Sequence, residues 1–160
     1  MPTIDALDAP SQLEGILAHR PELLAKYRTF YQSFWNDGLV PRRTLELCRR
    51  RIAYIHDCAA ELAVTDADVS LTEAEELALA HAQFDAFAPP EQAALVLAEF
   101  MPFSVHQISD SMVSAVAEVL GESGCVSLLT ALSFFDVNCR MKLALDIEPQ
   151  AAALTATHLV

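Results

Sequence analysis

The stretch Pro41–Val64, PRRTLELCRRRIAYIHDCAAELAV, decides how this chain folds. Leu45, Cys48, Ile52, Ile55, Ala59 and Leu62 recur at steps of three and four, the period of a helix with one face on a core. Pro41 suits a helix start, because its missing N–H is one a first turn leaves unpaired anyway. Asp57 interrupts the apolar run. As a cap accepting a bond from a free backbone amide it would open a second segment at Cys58. The stretch also carries five of the chain's ten basic residues, two of its four cysteines, and the cluster Glu46, His56, Asp57, Cys58 and Glu61.

Upstream, residues 1–20 read as an arm with a short helix started by Asp8-Ala9-Pro10-Ser11, its apolar face being Leu13, Ile16 and Leu17. Pro21 opens a helix with the aromatic stripe Leu23, Leu24, Tyr27, Phe30, Tyr31, Phe34 and Trp35. It closes at Asn36-Asp37-Gly38, with Gly38 as a left-handed cap. Downstream, Thr65–Ser70 reads as a loop. Thr72-Glu73-Ala74-Glu75 matches a capping box for a helix from about Glu73 to Phe87. Further helices span about Glu91–Met101, Ser109 to Gly121, and Ser123–Leu145 with Leu128, Leu129, Leu132, Phe135, Cys139 and Leu143 inward. No segment alternates as a strand. The expected fold is all-α, about seven helices in one compact domain over residues 21–149, with a tail at 150–160 that frays.

Composition narrows the function. A length of 160 residues is enough for one sizeable core. The net charge of −12 opposes a phosphate backbone, so no nucleic-acid partner is expected. No uninterrupted run reaches the roughly 18 apolar residues of a membrane span, and MPTIDALDAP has neither the basic nor the apolar part of a signal peptide. Four cysteines without CxxC or metal spacing read as reduced thiols of a cytoplasmic protein. His19, His56, His81, His106 and His158 have no ligand spacing, so neither metal nor cofactor is expected. An apolar fraction of 53% suggests burial between subunits.

The candidate chemistry stays divided. Cys58 at a helix start would feel the positive end of the dipole, while Asp57 and Glu61 oppose ionisation. The terms are of similar size, which leaves a reactive thiol and a core residue both open. His56 is either a general base near neutral pH or a hydrogen-bonded junction residue. Glu46 has Arg42 and Arg49 on its own face, the spacing of an intrahelical ion pair. Arg42, Arg43, Arg49, Arg50 and Arg51 form a basic patch that suits an anionic small-molecule substrate or, preferably, an acidic face of another subunit.

The run GLVPRRTLELCRRRIAYIHDC, the helix starts FAPPEQAAL and ISDSMVSAV, and the closing RMKLALDIEP resemble the carboxymuconolactone decarboxylase and alkyl hydroperoxidase D-like family from about Pro21 to Pro149. The resemblance implies an all-helical domain assembled as a homo-oligomer, a trimer or a hexamer. Its hydroperoxidase branch carries a motif of the kind E…NxCxxCxxxH. Glu46 matches the glutamate and Cys58 the first cysteine, but Glu61 stands at the second cysteine, Thr65 at the histidine and His56 at the asparagine. The resemblance therefore implies a degenerate peroxidase site with altered or lost activity. Alternatives are a thiol-dependent antioxidant using Cys58 alone, with Glu46 and His56 moving protons, and a lyase or isomerase using Glu46, Glu61 or His56. The last is a non-catalytic interaction module. Arg140 matches a position that is often arginine in the family's last helix and would meet a substrate carboxylate. Paired with Asp136 or Asp146 instead, it would be structural. On an unbroken helix Glu46 and Glu61 lie about 22 Å apart, so they meet only if the helix breaks near Asp57.

Overall fold

The computed structural model describes residues 4–154, with side chains to residue 151. Seven α-helices occur among these residues: α1 (Gln12–Leu17), α2 (Pro21–Asn36), α3 (Arg42–Ile55), α4 (Ala59–Leu62), α5 (Glu73–Ala80), α6 (Pro89–Phe100) and α7 (Asp110–Ala144). Short 3₁₀ turns at Phe84–Ala86 and Val105–Gln107 bracket α6. The all-α expectation holds, with one addition. Strands β1 (Val64–Asp66) and β2 (Ala152–Leu154) pair in parallel, Val64 opposite Ala152. The expected loop at Thr65–Ser70 thus begins as a strand. The expected fraying tail is tied down through Leu154, and residues 155–160 lie outside the described residues.

α3 is the axis of the molecule and packs on α5, α6 and α7. It is buried on all its faces from Thr44 to Ala53, not along one stripe. α2 lays Leu24, Tyr27, Tyr31, Phe34 and Trp35 inward while Leu23 and Phe30 stay exposed. Its aromatics meet α7, with the Tyr27 and Phe134 rings 5.1 Å apart and Tyr31 edge-on to Phe135 at 6.2 Å. The N-terminal arm folds back. Ser11 caps α1, Leu13 is buried, and Glu14 pairs with Arg28 of α2 at 2.5 Å.

Helix ends carry most of the local information. The capping box at Thr72 and Glu75 forms as expected, and Gly38 takes φ +71° beyond the end of α2. Three helices instead end in Schellman caps built on residues other than glycine. Asp57 (φ 51°), Ala82 (φ 55°) and Asp146 (φ 53°) are left-handed. The following residues, Cys58, Gln83 and Ile147, donate back to Ala53, Ala78 and Lys142. Ala82 corrects the expected helix to Phe87, since α5 stops at Ala80. Asp57 corrects the expected cap. It ends α3, Cys58 is the N-cap of α4, and no side chain caps that helix. Ala59, expected on the buried stripe, is exposed in consequence.

α7 joins the two helices expected on either side of Gly121, which is kinked at φ 71°, ψ 171°. That region of backbone space is essentially confined to glycine. Gly121→Ala is expected to lower unfolding stability by about 1–3 kcal/mol, measured by urea denaturation; an unchanged midpoint would show that the kink costs nothing to fill. By length and composition α7 is also apolar enough to cross a membrane, with 22% of its most apolar window buried. Counting uninterrupted apolar residues missed this, because serine, threonine and glycine are interspersed along it.

Candidate functional site

The five arginines of α3 do not form a surface patch. Each reaches a carboxylate of the same chain. Arg42 bonds Asp66 at 2.6 Å, Arg43 bonds Glu75 and Glu91, Arg50 bonds Glu76 at 2.7 Å, and Arg51 bonds Glu99 at 2.5 Å. A helix buried on all faces can keep charged residues only where neighbours neutralise them. The expected anion- or subunit-binding role for this patch is therefore corrected. These guanidinium groups fasten α3 to β1, α5 and α6.

Arg49 is the most enclosed of them, 0% exposed. Its Nε and Nη2 clasp both oxygens of Glu46 at 2.8 Å. Nη1 donates to the Glu61 carboxylate at 2.7 Å and to its backbone oxygen at 2.9 Å, and Nη2 also donates to the Val64 carbonyl at 2.6 Å. All five donors of a guanidinium are thus used. Lys142 of α7 closes the group from the far side, Nζ lying 2.6 Å from the other Glu61 oxygen. Two carboxylates and two cations sum to zero charge. Burial alone would raise the pKa of Glu61. The Lys142 ammonium and the Arg49 guanidinium overcome burial and hold it at about 2.

The break at Asp57 makes this possible. It turns α4 back so that Glu61 returns to α3, as a meeting with Glu46 requires. The two carboxylates meet through Arg49, however, and not across a cavity. Glu46 is no longer a simple intrahelical partner of Arg42, which bonds Asp66 instead.

Cys58, set on the turn between α3 and α4, is buried and faces α7. Its sulfur lies 4.0 Å from the Cys139 backbone oxygen. The bond from the Cys139 thiol is the largest influence lowering the Cys58 pKa, against burial. The Glu61 backbone N–H and the Lys142 charge also lower it, the Glu61 carboxylate opposes, and the result is about 7. The Cys139 thiol, as donor and buried, is pushed far up. Cys48 is raised by burial too. Cys58, Ala60 and Lys142 line a cleft of about 180 Å³ that neither Glu46 nor Glu61 reaches.

His56 and Arg140 belong to another cluster. His56 Nε2 lies 2.6 Å from Asp136, whose second oxygen accepts from Arg140 Nε at 2.8 Å. Arg140 also donates to the Pro102 carbonyl and stacks over Phe103, whose ring lies tilted against His56 at 4.9 Å. The Asp136 pairing is the structural role open to Arg140 in the sequence. Thr65 points outward from β1.

No protein-family model, curated protein or solved structure matches this chain. The site must be read from its own geometry. Two of its members, Cys139 and Lys142, escaped the sequence reading. One signal for Lys142 was present. It continues the inward stripe Leu128, Leu132, Phe135, Cys139 by a step of three, and a lysine on a core stripe demands a buried anion.

Proposed function

We propose that this chain is a thiol-dependent antioxidant on an alkyl hydroperoxidase D-like scaffold, with Cys58 as the group that attacks a hydroperoxide. The observation that carries the reading is the setting of Cys58. It lines a cleft, and its thiol is brought to a pKa of about 7 while Cys48 is raised. A thiolate, not a thiol, is the nucleophile, so a substantial fraction is reactive at neutral pH. The cleft of about 180 Å³ suits hydrogen peroxide or a small alkyl hydroperoxide. Glu46 and Glu61 have no part in proton transfer here, because both carboxylates are saturated by cations. The acid–base lyase reading loses Glu46 and Glu61 for the same reason.

The direct test is peroxide consumption with a dithiol reductant present. The wild type is expected to turn over and Cys58→Ser to lose that activity. An inactive wild type, or a fully active Cys58→Ser protein, sinks the proposal. Iodoacetamide labelling of Cys58 is expected to have its pH midpoint near 7.

The proposal includes a reducing, cytoplasmic setting, which a dithiol-recycled thiol requires. It also includes a homo-oligomer, trimeric or hexameric. Exposed Leu23 and Phe30 on α2 and Val119, Val126 and Val137 on α7 support association, as does the largely uncovered apolar window of α7. Sedimentation equilibrium is expected to give a multiple of the chain mass, and a monomer at micromolar concentration overturns this part.

A further inference from the structure

We propose that Cys58 and Cys139 form one intramolecular dithiol–disulfide couple, in which Cys139 resolves the sulfenic acid formed on Cys58. The couple would do what a CxxC pair does, with the second sulfur supplied by α7 and not by the position three residues on, where Glu61 stands. It rests on the thiol reading above.

Three observations carry it. The Cys58 sulfur lies 4.0 Å from the backbone oxygen of Cys139, which brings the two cysteines together although they are 81 positions apart in the chain. The asymmetry is right, since both cysteines are buried but Cys58 lines the cleft and Cys139 is not among its lining residues. The backbone on both sides is held firmly. Cys58 is fixed by the Schellman cap at Asp57. Cys139 stands one turn before Lys142, whose bridge to Glu61 pins α7 against α4. Cys48 and Cys125 have no such partner thiol among the described residues and serve as internal controls.

The steps balance. The Cys58 thiolate attacks the outer oxygen of the hydroperoxide. The O–O bond breaks, and the alkoxide leaves as an alcohol with a proton from water. Cys58 is then a sulfenic acid. The Cys139 sulfur attacks the Cys58 sulfur, forming S–S and breaking S–O. Hydroxide leaves and takes the Cys139 proton, giving water. The thiol pair loses two electrons and the hydroperoxide gains them. An external dithiol restores the pair through a mixed disulfide.

Reduced protein is treated with stoichiometric hydrogen peroxide, and in a parallel arm with diamide, then alkylated, digested and mapped by mass spectrometry. A Cys58–Cys139 link is expected in both arms, with Cys48 and Cys125 still alkylated. In Cys139→Ser the peroxide arm is expected to leave a dimedone-trappable sulfenic acid on Cys58. The wild-type map needs no variant to fold. A link with diamide but no oxidation by peroxide upholds the couple and removes the hydroperoxide reading. Oxidation of Cys58 by peroxide with no link to Cys139 overturns the couple and leaves that reading standing. No link in either arm, with Cys58 unoxidised, overturns both.

Discussion

Arg49→Met is expected to lower the unfolding free energy by about 3–5 kcal/mol, the usual cost of removing one partner from a buried ion network. Methionine replaces the aliphatic stem of the side chain, so lost apolar packing contributes little. What changes is that Glu46 loses both guanidinium hydrogen bonds and keeps only Arg50, 3.8 Å away, while Glu61 keeps only Lys142. Of the two buried carboxylates, only Glu61 then keeps a cation within hydrogen-bonding distance. The Val64 carbonyl also loses its strongest donor. Against a total stability of roughly 5–15 kcal/mol this is a large fraction. Removing all four charges together, as Glu46→Leu, Arg49→Met, Glu61→Leu and Lys142→Met, is expected to cost far less than the single change, because no ion is left stranded. Urea titration with matched slopes measures both. A single variant within about 1 kcal/mol of wild type would mean that water reaches the group and that it is not the buried network its geometry describes.

The second large effect is on acid stability. The folded-state pKa of Glu61, about 2, lies below the ordinary carboxylate value of 4.5. A depressed folded value means the unfolded chain binds the proton more readily. The stabilisation is therefore complete above pH 4.5 and disappears as the pH falls towards 2. Over that window the loss is about 3 kcal/mol from this one group. Glu75 adds a lesser contribution of the same sign through the Thr72 backbone N–H. In Glu61→Gln the slope from position 61 vanishes. That variant is expected to be much less stable than wild type at neutral pH and to converge with it near pH 2. Parallel curves for the two proteins from pH 7 to pH 2 would contradict the assignment.

What was legible in the sequence is what local chemistry decides. The aromatic stripe of α2, the Thr72 capping box, the prolines that start α2 and α6, and the interruption at Gly121, a kink and not an end, all act within one or two turns of themselves. The break near Asp57 was visible, but its kind was not. Aspartate caps helix starts, yet it also tolerates the left-handed conformation, and here it ends α3. Ala82 carried no signal at all, since alanine is the best helix former and only tertiary packing could place it at a positive φ. The arginines of α3 were misread for a related reason. Spacing suggests partners three or four residues away, whereas those of Arg42, Arg43 and Arg51 come from 24 to 48 positions downstream. Of the candidate site, Glu46, Cys58 and Glu61 were recognised, and their neighbours on α7 were not, because no local pattern joins residue 58 to residue 139. The two-residue lead from His56 to Cys58 was misleading, as the turn sends their side chains to different clusters.

The Lys142–Glu61 bridge and the Cys58–Cys139 contact both span 81 positions and both join α4 to the last turns of α7. They share one gate. If α7 lifts locally, a lysine and a carboxylate enter water at the same moment that Cys58 parts from Cys139. Exposure of Cys139 to a labelling reagent is thereby expected to follow the hydration of that charge pair and to rise as the pH falls towards 2.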